Sequence, residues 1–138
     1  MKRCVDTTFL SDLVRGRPPA VDLLEKWIGD GDSLFTTSVN CYEVSLGIAR
    51  VADARTRRMR LRAWEKLSQA FVCGGMTRFA ADIAAARQAE LMARGSAAPL
   101  MDLFIASIAF ANDCELLVTN DMEAFARIGL VPVESHKT

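Results

Sequence analysis

The chain has 138 residues, 51% of them hydrophobic, with 17 Lys+Arg against 17 Asp+Glu and a formal net charge of zero. That length suits one domain spanning residues 1–138, and the apolar fraction excludes a disordered chain. The zero balance argues against a nucleic-acid binder, which ordinarily carries a basic surplus, unless the charges are segregated along the chain.

Residues 3–5 form a short apolar run that ends at Asp6, and residues 7–14 read as the helix that follows. Pro18 and Pro19 open a second helix, through about Trp27 and Ile28, which Gly29 to Gly31 close. Residues 33–37, rich in Thr and Phe, are a second strand, and residues 40–52 are helical. A longer helix over 54–70 spaces Leu61, Trp64, Leu67 and Phe71 for one buried face. Residues 71–73 are a third strand, stopped by Gly74 and Gly75. An Ala-rich helix over 77–94 and a helix over 101–111 follow, then a strand at 115–118, a short helix at 122–128 and a last strand at 130–133. Strands alternating with helices predict an α/β sandwich around a mainly parallel sheet, whose ligands bind beyond the carboxyl ends of the strands.

The longest apolar stretch in a predicted helix, residues 103–111, is far short of the ~20 residues of a membrane span. Lys2 and Arg3 precede only Cys4 and Val5 before Asp6, so no signal-peptide core is present, and a soluble cytoplasmic protein is expected. Cys4, Cys41, Cys73 and Cys114 form no Cys-x-x-Cys pair and read as reduced, buried small hydrophobes. His136 is the only histidine, which argues against a Ser-His-Asp triad, a Cys-His pair or a His-based zinc site. Carboxylates, hydroxyls and basic side chains must then carry any chemistry.

Four carboxylates stand at informative positions. Asp6 follows the first strand and precedes Thr7 and Thr8; Asp121 follows the fourth strand together with Thr119 and Asn120. Both also suit helix caps. Glu43 lies in the first turn of a helix, where Asn40 to Glu43 has capping-box spacing. Asp102 opens a helix whose Ile105, Ala106 and Ala109 share its face, a costly place for a charge unless it is paired or metal-bound. Two unit charges 4 Å apart repel by roughly 4 kcal/mol at an effective dielectric of about 20. If all four converge, the cluster should raise its pKa values or bind divalent cations, and oxygen ligands without histidine favour Mg²⁺ or Mn²⁺.

Val5-Asp6-Thr7-Thr8, Ser38-Val39-Asn40-Cys41-Tyr42-Glu43, Asp102-Leu103-Phe104-Ile105-Ala106 and Leu117-Val118-Thr119-Asn120-Asp121, followed by Phe125, resemble the PIN-domain ribonucleases. The chain's size and the N-terminal placement of Asp6 are most similar to the VapC-type toxins of bacterial and archaeal toxin–antitoxin pairs. The likeness runs from about residue 3 to residue 133. It implies a Rossmann-like α/β/α fold with a central five-stranded parallel sheet. It also implies Mg²⁺- or Mn²⁺-dependent RNA cleavage leaving 5′-phosphate and 3′-hydroxyl ends, a cognate antitoxin and a homodimer. Carried over by position, Asp6, Glu43, Asp102 and Asp121 would be the metal-binding and catalytic quartet. Glu43 would be a ligand or a general base, Thr119 the catalytic hydroxyl before the last acidic position, and Thr7 or Thr8 the hydroxyl beside the first. Asn40 stands where Thr or Ser is common, and Asp121 where many relatives have Asn; neither departure abolishes a ligand.

Residues 50–66 hold seven basic side chains against Asp53 and Glu65. Arg55, Arg58 and Arg62 share one helical face, which is either an RNA phosphate track or an ordinary solvated face. Two other readings compete with the nuclease. A non-catalytic PIN-like module would bind RNA or protein on the same fold. A phosphatase with Asp6 as nucleophile would carry an Asp two positions later, where Thr8 stands. The charge balance conceals a polarity: residues 1–101 carry fifteen basic and eleven acidic side chains, residues 102–138 two and six. With four carboxylates assigned to metal, seventeen basic residues face thirteen acidic ones, and neutrality no longer excludes RNA.

Overall fold

Five short strands build the centre of this computed structural model, which describes residues 1–137. They are β1 (Lys2–Val5), β2 (Ser33–Thr37), β3 (Val72–Gly74), β4 (Leu116–Val118) and β5 (Val133–Glu134). All neighbouring pairs are parallel, in the order β3-β2-β1-β4-β5. Parallel neighbours require crossover connections, and these are α1 (Thr7–Val14), α2 (Pro18–Gly29), α3 (Ser38–Ala49), α4 (Ala54–Leu67), α5 (Arg78–Ala93), α6 (Leu100–Ala111) and α7 (Met122–Ile128). The architecture is the expected α/β/α sandwich, and its sheet is parallel throughout.

The period-two geometry of a strand sorts the core into two layers. Cys4, Phe35 and Leu117, which are in register, point to the face covered by α5, α6 and α7. Val5, Leu34 and Val118 point to the opposite face, under α1, α2, α3 and α4. The three inner strands β1, β2 and β4 are therefore apolar on both sides, as a sheet sandwiched between helices requires. Burying one such Val, Leu or Phe contributes about 1.5–3 kcal/mol before entropy is counted.

The strand order also places the site. From β1 the chain steps outward to β2 and β3, then returns to lay β4 and β5 on the other side of β1. The order reverses between β1 and β4, so their carboxyl ends flank a crevice of the kind in which open α/β sheets bind ligands. Asp6 and Thr119 leave those two strand ends.

Three local expectations shift. Phe71 lies before β3 rather than in it, and is buried at 7% exposure after a short 3₁₀ turn, Ser68–Ala70. Leu61 is 44% exposed, because α4 contributes only Trp64 to the fully buried layer. The last strand starts at Val133 because Pro132 has no N–H; its carbonyl accepts from Leu117 N at 2.8 Å, and pairing resumes beyond it. Gly74 is required by close approach, since a Cβ there would lie 2.4 Å from Phe35 Cζ, on a ring that is 1% exposed. Among the described residues no helix is long and apolar enough to cross a membrane.

Candidate active site

Asp6 is 6% exposed, and both of its oxygens are occupied. Asn40 Nδ2 donates to Oδ1 at 2.8 Å and Thr119 Oγ1 donates to Oδ2 at 2.7 Å. Burial, the largest cause, pushes the Asp6 carboxyl above its usual range; the hydrogen bonds from Thr119, the Thr7 backbone and Asn40 pull it back, and the charge of Asp121 adds to the rise. Asp6 occupies the N-cap position of α1 without a side-chain capping bond, and so does Asp121 on α7. Neither carboxylate acts as a helix cap. Asp6 turns instead toward the first turn of α3 and the residue after β4.

The buried Asn40 ties this carboxylate to Glu43. Its amide nitrogen also donates to Thr7 Oγ1 at 3.0 Å, and Thr7 Oγ1 donates to Glu43 Oε1 at 2.7 Å. Its Oδ1 accepts from Thr37 Oγ1 at 2.7 Å, while Thr37 Oγ1 accepts from Asn40 N at 3.2 Å. Thr37 is thus the N-cap of α3, and the capping box expected at Asn40 to Glu43 does not form. The helix begins at Ser38, two residues earlier than expected, which places Asn40 in its first turn facing Asp6.

On the β4 side, Thr119 Oγ1 spends its proton on Asp6 and accepts from Asp121 N at 3.0 Å. This hydroxyl is fully buried, so it positions Asp6 and shapes the turn that carries Asp121. Asp121 is exposed, and Asp102 is half-buried at the start of α6. Asp102 has no hydrogen-bond partner among the described residues, and its pKa is pushed up to about 6. Desolvation is the main cause, followed by the charges of Asp121, Asp6 and Glu43, with Arg127 opposing. All three other carboxylates therefore lie within electrostatic reach of Asp102, and the four converge on one edge.

Among the described residues no three His, Cys, Asp or Glu side chains stand close enough together to form a ready-made metal cage. The donor set nevertheless fits a hard divalent cation: it is all carboxylate oxygen, and the charge gathered around Asp102 is what such an ion neutralises. The same repulsion has a measurable consequence without metal. In the folded state Asp102 holds its proton up to about pH 6 against an ordinary 3.8, so protonation favours folding below pH 4 and that advantage is lost as pH rises through 6. Asp102→Asn is expected to stabilise the protein by about 1–2 kcal/mol at pH 7, after allowance for solvent screening, and by nothing at pH 4. Urea denaturation in EDTA at the two pH values checks this; equal effects at both would show that Asp102 feels no such repulsion.

Several residues near the site escape sequence reasoning. Asn40 is visible there only as a departure from a pattern, and Thr37 only as a strand residue. His136 is 4% exposed, with Nε2 3.0 Å from Asp12 Oδ2 and 3.2 Å from Asn120 Nδ2. It packs edge-on against Phe9 and pins the tail to α1 and to the loop after β4. Nothing in a lone near-terminal histidine signals this. Arg55, Arg58 and Arg62 are exposed on α4. A cavity of about 330 Å³ shared with Thr7, Thr8 and Asn120 is lined by Arg15, Arg17 and Lys137, and by none of those three arginines.

The model of the PIN domain family matches residues 3–130. No curated protein sequence matches the chain. Among solved structures, the chain is similar to one in VapBC2 from Rickettsia felis bound to a DNA fragment from their promoter, at 19% identity, 98% coverage of both chains and a TM-score of 0.83. It is also similar to a chain of VapBC-1 from nontypeable Haemophilus influenzae, at 18% identity, full coverage of both chains and a TM-score of 0.81. A chain of VapBC-5 from Mycobacterium tuberculosis, a member of the VapBC family of toxin–antitoxin systems, is 24% identical over 97% of this chain and 96% of its own, with a TM-score of 0.68.

Proposed function

Because this chain belongs to the PIN domain family, we propose that it is a divalent-metal-dependent endoribonuclease and the toxin of a toxin–antitoxin pair. The observation that carries the nuclease reading is the buried Asp6, bonded on both oxygens, with Asp102 within electrostatic reach of it, of Glu43 and of Asp121. Asp6, Asp102, Asp121 and Glu43 would hold Mg²⁺ or Mn²⁺, directly or through water. A bound ion would offset the charge that builds on the phosphate as its ester bond breaks.

The chain's own residues do the rest. Asn40 and Thr119 fix the orientation of Asp6 before substrate arrives, so little reorganisation is left for the reaction. Thr7 holds Glu43 with one oxygen engaged, leaving the other to accept a proton from an attacking water. Thr119, its proton committed to Asp6, acts as a positioning residue. Arg15, Arg17 and Lys137 line the cavity beside Thr7 and would take the flanking phosphates, with Arg55, Arg58 and Arg62 as an outer track.

The toxin reading draws on the likeness to chains of VapBC complexes. On that reading a protein antitoxin would be the partner, a homodimer the assembly and the cytoplasm the place of action. An apolar cavity of about 230 Å³ between α5 and α6, lined by Met76, Leu100 and Phe104 among others, is a surface such a partner would cover.

The deciding experiment incubates the purified protein with total RNA in Mg²⁺, Mn²⁺ or EDTA and maps the fragment ends. Cleavage in either metal, lost in EDTA and leaving 5′-phosphate and 3′-hydroxyl ends, is expected. RNA affinity should also fall steeply with salt, less so after Arg15→Ala. No cleavage of any RNA in either metal would overturn the nuclease reading and favour a non-catalytic module that binds RNA or protein.

A further inference from the structure

The four cysteines, expected to be reduced and buried, are not alike. Cys4 and Cys114 are buried, at 0% and 8% exposure, but Cys41 is half-buried and Cys73 is exposed. The Sγ atoms of Cys41 and Cys73 lie 3.6 Å apart, although the residues are 32 positions apart in sequence. Cys41 sits in the first turn of α3, and Cys73 on β3, paired in register with Thr36 of β2.

This approach is built into the backbone. Phe35 closes over Gly74, which fixes β3 against β2. A Cβ on Gly75 would lie 3.6 Å from Ser38 Oγ, so the segment leaving β3 runs against the start of α3. A disulfide needs its sulfurs at about 2.05 Å, so the pair would have to close by roughly 1.5 Å through side-chain rotation and local backbone adjustment.

We propose that Cys41 and Cys73 are a modification site: a dithiol that closes to a reversible disulfide, stapling the first turn of α3 to β3, when it meets an oxidised small-molecule disulfide. The exposed Cys73 thiolate attacks one sulfur of that molecule, forms a mixed disulfide and expels a thiolate. Cys41 then gives its proton to solvent, its sulfur attacks the Cys73 sulfur and the second thiolate leaves. Two cysteine thiols are oxidised and one external disulfide is reduced to two thiols, which take up the protons. Cys4 and Cys114, at 0% and 8% exposure, are the less accessible pair.

The staple acts on the site through one residue. Cys41 is adjacent to Asn40, whose amide holds Asp6 and Thr7, and the same turn leads to Glu43. Drawing Cys41 toward β3 shifts that amide. The effect on cleavage rests on the nuclease reading above; the disulfide itself does not.

The full-length protein is treated with glutathione disulfide, digested without reduction and analysed by mass spectrometry beside Cys73→Ser. A protein lighter by two hydrogens, with a Cys41–Cys73 cross-linked peptide absent from Cys73→Ser, is expected. Its melting temperature should be about 5 °C or more higher, restored by dithiothreitol. Cleavage by the oxidised wild type should fall about 10- to 100-fold, while Cys73→Ser cleaves normally and ignores the oxidant. Glutathione retained on Cys73, a Cys4–Cys114 link or no reaction at all would each overturn the disulfide. A closed disulfide with unchanged cleavage would overturn its coupling to the site. If the reduced protein cuts no RNA, the mass and melting results still decide the disulfide alone.

Discussion

Asp6→Asn is expected to lower RNA cleavage by about a thousandfold or more while leaving the fold intact. An interaction that stabilises a developing phosphate charge through a bound ion contributes several kcal/mol, and about 4 kcal/mol is a factor of a thousand. The substitution keeps the shape and removes the charge. Its effect on stability is the sum of two opposed changes. Losing a carboxylate that burial and Asp121 have pushed upward in pKa favours folding. Against that, the new amide can accept from only one of the two donors, Asn40 Nδ2 and Thr119 Oγ1, that now bond Asp6. The unsatisfied donor costs about 1–3 kcal/mol, the relief of the buried charge opposes it, and the fold should survive the substitution. Single-turnover cleavage and a urea titration on the same preparation check both halves. Cleavage at the wild-type rate would remove Asp6 from the reaction.

The second large effect comes from a residue that bears no charge. Asn40→Ala deletes the side chain shared by Asp6, Thr7 and Thr37, all of which bond it at 2.7 to 3.0 Å. One oxygen of the buried Asp6 is then unpartnered, and Thr37 Oγ1 loses its acceptor. Leaving a buried carboxylate oxygen and a hydroxyl unsatisfied should cost about 2–4 kcal/mol, more than the packing of so small a side chain accounts for. Cleavage should fall about 10- to 100-fold, because Asp6 and Glu43 lose the group that sets their mutual geometry. The KM for RNA should hardly move, since Asn40 is buried and does not meet the substrate. A stability loss below 1 kcal/mol would show that water takes over its bonds. A change confined to KM would show that Asn40 contacts RNA.

These two residues differ in how visible they are beforehand. Asp6 stands at the end of an apolar run and before two hydroxyls, a local signal. Asn40 reads locally as the start of a capping box, yet Thr37 caps the helix and Asn40 turns inward. The same four-residue spacing permits both outcomes, and only the presence of Asp6 opposite α3 selects one. His136 is a sharper case: three residues from the end of the chain, it gains its meaning from Asp12 and Asn120, which the fold brings to it. Cys41 and Cys73 are likewise ordinary apart and distinctive together.

The order of strands and helices, the two-sided apolar strands and the four carboxylates after or near strand ends are properties of the sequence alone, because they follow from spacing along one chain. Helix and strand periods, proline and glycine stops and the lack of a second histidine act within a few residues of themselves. Which face α4 buries, where the last strand starts, which side chain holds Asp6 and which cation-lined cavity meets the site were decided by tertiary structure. Those are contacts between separate segments of the chain, brought together by the β3-β2-β1-β4-β5 order. A hydrogen bond or a charge repulsion depends on distance in space, which for such pairs exists only once the sheet has formed.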